Sequence, residues 1–139
     1  MKAKSFHCSP KGLALPIASA IGDKLKCVCD KMPPAYPCDA DKIVFIGAEM
    51  KNKAPKEVND FCRELTLART KYVAFYVING TGDTSGLDSI IASMKANGVE
   101  TVGGIHTVVV KSSLFKAGTT TQADIDSTLA WVDGIISSI

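Results

Sequence analysis

Residues 72–83 read Tyr-Val-Ala-Phe-Tyr-Val-Ile-Asn-Gly-Thr-Gly-Asp, and this stretch decides the fold class. From Tyr72 to Ile78 every residue is apolar or aromatic, with β-branched types recurring. A strand without polar alternation has both faces covered, as in a parallel sheet packed between helices. Asn79, Gly80, Thr81, Gly82 and Asp83 break the run sharply. Leu87, Ile90, Ile91 and Met94 then recur at helical spacing, and Asn97 and Gly98 close that helix. A buried strand passing through a glycine-bearing turn into an amphipathic helix is the unit from which βαβ crossovers are built.

The same unit repeats outward in both directions. Upstream, Lys4 to Cys8 forms a first strand. After a turn over Ser9 to Gly12, Leu13, Ile17, Ile21 and Leu25 make the apolar stripe of a helix. Pro16 is tolerated only in a first turn, so that helix begins near Leu13 or Ala14. Leu25 to Asp30 is read as a short second strand. Met32 to Asp41 carries Pro33, Pro34 and Pro37 and is a loop. Ile43 to Ile46 is a third strand, covered on both faces and ended by Gly47. Pro55 marks the start of a helix bearing Val58, Phe61, Cys62 and Leu65. Downstream, Val99 to Val110 contains the fifth strand, bent at Gly103 and Gly104. A last helix starts at about Thr121, where Thr121 and Asp124 approximate a capping box, and turns Ile125, Leu129, Val132 and Ile136 to the sheet. The predicted architecture is α/β, a three-layer doubly wound parallel sheet of five strands in the order 2-1-3-4-5.

Composition agrees with one such domain over residues 1–139. Apolar residues make up 46% and charged residues 22%, the balance of a globular protein. The longest apolar runs, Val73 to Ile78 and Val108 to Val110, are too short to cross a bilayer, and the first residues lack the apolar stretch of a secretory signal. No membrane partner and a cytoplasmic location are expected. A net charge of +2 without a dense Lys/Arg block gives no reason to expect nucleic acid. The five cysteines, Cys8, Cys27, Cys29, Cys38 and Cys62, are odd in number and read as reduced thiols.

In doubly wound sheets, ligands bind outside the carboxyl ends of the strands where the winding reverses. That places any site on three loops: Ser9 to Ala14, Gly47 to Lys53, and Asn79 to Thr84. Here the chain resembles the flavodoxins, over its full length in element order and in the position of its glycine-bearing loops. Flavodoxins hold the phosphate of FMN in a first loop of the form Ser/Thr-x-Thr-Gly-x-Thr. The matching stretch is Ser9-Pro10-Lys11-Gly12-Leu13-Ala14, in which Ser9 and Gly12 match while Lys11 and Ala14 stand where the threonines would be. The resemblance implies FMN as cofactor, held by the amides of this loop, the helix dipole and the Lys11 charge. It also implies that Met50 and Lys51 in the second loop pass the ring. Asn79, Gly80, Thr81, Gly82 and Asp83 in the third approach its edge. No Tyr or Trp in either loop supplies the stacking aromatic common in flavodoxins.

Other chemistries fail on their residues. A low-molecular-weight phosphatase would place Arg six positions beyond Cys8, where Ala14 stands. A receiver domain would need Asp where the third strand ends at Ile46 and Gly47. A serine hydrolase would need Gly-x-Ser-x-Gly. Cys27 and Cys29 read as packing residues rather than zinc ligands, and Asp83 reads as a helix cap ahead of a ligand contact, with Thr84 the other cap candidate. His7 and His106 read as structural histidines, and Trp131 as a packing residue.

Three functions remain. The first is an FMN-binding protein that carries electrons between redox partner proteins or acts as a small flavin-dependent reductase, working as a monomer or weak homodimer. The second is a flavin-free interaction or regulatory module of the same fold. The third is a thiol activity at Cys8, beside a helix N-terminus that would stabilise its thiolate.

Overall fold

Alternation along residues 41–49 explains the layering: Ile43 and Phe45 are buried on one face of the sheet, Val44 and Ile46 on the other. The computed structural model describes all 139 residues, Met1 to Ile139. Its strands are β1 (Ala3–Cys8), β2 (Val28–Lys31), β3 (Asp41–Glu49), β4 (Thr70–Asn79), β5 (Glu100–Thr101) and β6 (His106–Val109). They form one sheet in the order β2-β1-β3-β4-β5, with β6 also paired to β4, and every pairing is parallel. The helices are α1 (Leu15–Leu25), α2 (Lys56–Arg63), α3 (Asp88–Ala96) and α4 (Gln122–Ser138), with a short 3-10 turn over Ser85–Leu87. The fold is therefore the doubly wound α/β architecture expected.

On one face, α1 and α4 bring Ile17, Ile21, Val132 and Ile135 onto Ile43, Phe45, Ala74, Tyr76 and Val108. On the other, α2 and α3 bring Val58, Cys62, Ile90 and Met94 onto Phe6, Val44, Ile46, Phe75 and Val77. Burying each such side chain contributes about 1.5–3 kcal/mol, so both helix layers are anchored chiefly by the two central strands. The capping box at α4 is present: Thr121 Oγ1 accepts from the Asp124 amide at 3.2 Å, and Asp124 Oδ2 accepts from the Thr121 amide at 2.9 Å. Pro16 lies in the first turn of α1.

Several boundaries differ from the sequence reading, two of them consequential for the packing and the site. Leu25 is not the start of β2 but the end of α1; Lys26 turns the chain through a left-handed conformation (φ 52°) and β2 begins at Val28. Gly47 does not end β3, which continues to Glu49. The neighbouring Tyr76 side chain lies across Gly47 and fills the space where a side chain would stand. The fifth strand is divided as its glycines suggested: Val73 pairs with Thr101, the Val102 amide still donates to Val73 O at 3.0 Å, and pairing resumes at Tyr76 with His106, so residues 103–105 leave the ladder, with Gly103 and Gly104 at positive φ.

Candidate functional site

The loops after β1, β3 and β4 all emerge at the carboxyl edge of the sheet, and side chains join them to one another. In the first loop the Gly12 amide donates to Ser9 O at 3.0 Å, a turn that Gly12 completes at φ +76°. The Ala14 amide donates to Ser9 Oγ at 2.9 Å. The amides of Lys11 and Leu13 point out of this turn toward a common centre.

That centre is occupied by the carboxylate of Glu49, the last residue of β3. Glu49 Oε1 accepts from Ser9 Oγ at 2.7 Å and from the Leu13 amide at 3.3 Å; Oε2 accepts from the Lys11 amide at 3.2 Å. Helix α1 has no side-chain N-cap bond and no acidic residue in its first turn. A helix N-terminus attracts an anion through its unpaired N–H groups and its dipole. Glu49 supplies that anion from another strand. The in-register pairing of His7 with Gly47 and Cys8 with Ala48 sets the end of β3 beside the start of the first loop. Sequence reasoning placed Glu49 in the second loop without a role. The available signal was an acid at the end of β3 opposite a helix start that has none.

Asn79 organises the third loop. Its Oδ1 accepts from the amides of Gly82 at 2.6 Å and Thr81 at 3.2 Å. Its Nδ2 donates to Asp83 O at 2.8 Å and to Lys51 O at 3.3 Å, tying the second and third loops together. The Thr81 and Gly82 amides, expected to face a ligand, are engaged within the loop. Asp83 acts as a cap, its Oδ1 accepting from the Ser85 amide at 3.0 Å. The bonds from Ser85 hold its carboxyl below the ordinary carboxylate range.

Met50 does not face the cleft. It is 6% exposed and packs into the core on the α2/α3 side, beneath Gly86. Residue parity along β3 explains this, because Met50 continues the series Val44, Ile46, Ala48 on that face. Lys51 and Asn52 do reach the open cleft, of about 340 Å³, together with Asn79, Gly80, Thr81 and Asp83. No hydrophobic side chain lines it. Lys11 and Pro10 are exposed beside the first loop.

Cys8 is buried, and its Sγ lies 3.7 Å from Glu57 Oε2. Burial first, then the Glu57 and Glu49 carboxylates, push its thiol up to about 11. The expected thiolate at Cys8 is therefore corrected: burial, reinforced by the adjacent acids, outweighs the helix terminus and favours the neutral thiol. Cys27 immediately precedes the edge strand β2 and Cys29 lies within it, packed against Gly22 of α1. No group of three or more His, Cys, Asp or Glu side chains is placed to hold a metal ion. Burial lowers the pKa of both His7 and His106, and His106 stacks on Trp131 with ring centroids 5.2 Å apart.

Comparison with known proteins bears on this geometry. No family profile matches the chain, and no curated protein matches its sequence. Solved structures do match. The flavodoxin of Streptococcus pneumoniae TIGR4 superimposes with a TM-score of 0.68 at 18% identity, covering 99% of each chain. Oxidised flavodoxin 2 of Bacillus cereus gives a TM-score of 0.70 at 16% identity over 100% of each chain. With the strand order above, these fix the fold as flavodoxin-like from end to end. For FMN itself, the donors that would face its phosphate are those engaged by Glu49, and the cleft offers no apolar platform for its ring. In this arrangement the residues do not fit the cofactor.

Proposed function

We propose that this flavodoxin-fold chain works as an interaction or regulatory module that does not carry FMN. One observation supports this above the others: Glu49 sits on Ser9, Lys11 and Leu13, the donors of the anion cradle. A phosphate dianion cannot share those donors with a carboxylate. Two unit charges 4 Å apart repel by about 4 kcal/mol near a protein surface, and the dianion doubles that. FMN would have to expel Glu49 and leave it without its three donors. The ring would then lie against Lys51, Asn52, Asn79 and Asp83, without the apolar lining that flat aromatic ligands require.

A second reading, an FMN-dependent electron carrier or small flavin reductase serving redox partner proteins, is favoured by the whole-chain likeness to flavodoxins and by the exposed Lys11 charge beside the cradle. Under either reading the working unit is a cytoplasmic monomer or weak homodimer, with neither nucleic acid nor membrane as partner.

Titration with FMN separates the two. The module reading expects FMN fluorescence and the melting temperature of the protein to stay unchanged up to millimolar ligand. Saturable quenching at micromolar FMN, weakened about tenfold to a hundredfold by Lys11→Ala through loss of a charge-assisted contact, would establish the carrier instead.

A further inference from the structure

The loop after β6 ends in a turn whose composition contradicts its position. The Ser113 amide donates to Lys116 O at 2.8 Å and the Lys116 amide to Ser113 O at 3.4 Å, which puts Leu114 and Phe115 at the two corners of a closed turn. Turn corners ordinarily take Gly, Pro, Asn, Asp or Ser. Leu114 and Phe115 are instead 90% and 94% exposed, the most exposed large apolar side chains of the molecule. The loop around them is held in place. The Gly118 amide donates to Ser112 Oγ at 2.8 Å, and Thr120 Oγ1 donates to Leu13 O at 2.6 Å, which fastens the loop to the anion cradle.

Along the loop itself the charge is one-sided: residues 101–123 contain no Asp or Glu, while Lys111 and Lys116 flank the tip. Neither lysine belongs to an ion pair; the pairs are Lys4–Asp41, Lys24–Asp133 and Lys56–Asp60.

We propose that the Leu114–Phe115 turn is a docking element that enters an apolar pocket rimmed by carboxylates on a partner protein. This deepens the module reading and rests on it. A pair of adjacent apolar anchors flanked by charge is the anatomy of an interface centre and rim, with the lysines steering approach toward an acidic surface. A membrane fits less well, because interfacial binding draws on the broad apolar face of an amphipathic helix or on two anchoring signals, and one turn has neither. A second copy of this chain fits less well too. The cleft between α3 and β5 is lined by Ile91 and Val99 with Lys95 and Glu100, so its charge is balanced rather than acidic.

The experiment places a photoreactive benzophenone amino acid at position 115 in cells that make the protein. The cross-linked partner is then identified and purified, and its affinity is measured for the wild type and two double variants. The proposal expects one predominant protein adduct whose cross-linked surface is rich in Asp and Glu. Leu114→Ser with Phe115→Ser should weaken binding at least about thirtyfold, and Lys111→Glu with Lys116→Glu about tenfold. Both double variants alter only exposed side chains, and their melting temperatures, measured alongside, exclude loss of fold as the cause. The proposal is overturned by the absence of a protein adduct, by an adduct to a second copy of the chain, or by variants that bind within threefold of wild type. Co-flotation of the wild type with phosphatidylserine vesicles overturns it as well. FMN titration is independent of all these outcomes, so failure of the docking element and failure of the module reading are told apart.

Discussion

The ring of Tyr76 lies across Gly47 on the adjacent strand, so closely that a β-carbon on Gly47 would fall 2.1 Å from Tyr76 Cζ and 2.3 Å from its hydroxyl. The two residues are direct register partners in β3 and β4. Tyr76 is fully buried, and its hydroxyl has no hydrogen-bond partner.

Two substitutions follow from this pair. Gly47→Ala forces a central side chain out of place and should destabilise the protein by about 3 kcal/mol, at the upper end of ordinary overpacking. Tyr76→Phe removes a buried unsatisfied hydroxyl without changing the packed shape, and should be neutral or stabilising by about 1 kcal/mol. Urea denaturation of both variants checks the account; a Tyr76→Phe loss above about 2 kcal/mol would mean that the hydroxyl is satisfied in solution.

How much of this was legible in the sequence depends on the range of the interaction. Pro16, the Thr121–Asp124 box and the Asn97–Gly98 stop act within one helical turn, and each appears where local chemistry put it. Gly47 was misread as a strand end because its reason for being glycine stands on another strand. Met50 was misplaced because β3 runs on to Glu49, carrying its inward parity one residue further. Glu49 had no legible role at all. Its partners lie 36–40 residues away in sequence, and only the register between β1 and β3 brings them together.

The buried thiols set an alkaline limit on stability. Burial holds Cys8 and Cys38 up to about 11 and Cys62 up to about 12, against an ordinary value of 9.0. Above pH 9 the unfolded chain releases these protons while the folded chain keeps them, so unfolding is favoured as pH rises. Stability should fall progressively between pH 9 and 12. Denaturation midpoints measured across that range provide the check, and Cys62→Ala should flatten the fall while lowering stability at neutral pH. Alkylation of Cys8 in the folded state should be slow at pH 8, and Glu57→Gln, by removing a charge that disfavours the thiolate, should accelerate it.

Lys4 and Asp41 form a pair at 3.1 Å in which the Asp41 side chain is fully buried and Lys4 is 17% exposed. Asp41 Oδ2 also accepts from the Asp39 amide at 3.2 Å. Removing the cation leaves a buried carboxylate with little compensation, so Lys4→Met should cost about 3 kcal/mol at pH 7. Adding Asp41→Asn should recover part of that loss. Equal stability of Lys4→Met and wild type would show that solvent reaches Asp41.

The most direct measurement of the central claim follows the backbone amides of Lys11 and Leu13 by 15N NMR in the wild type and in Glu49→Gln. Glu49→Gln keeps the shape of the side chain and removes its charge, so both amide resonances should move by more than those of any residue outside the three loops. In wild type, both should then remain where they are as FMN is added to millimolar concentration. Amides indifferent to Glu49→Gln, or wild-type amides that shift saturably with micromolar FMN, would contradict a cradle closed by its own carboxylate.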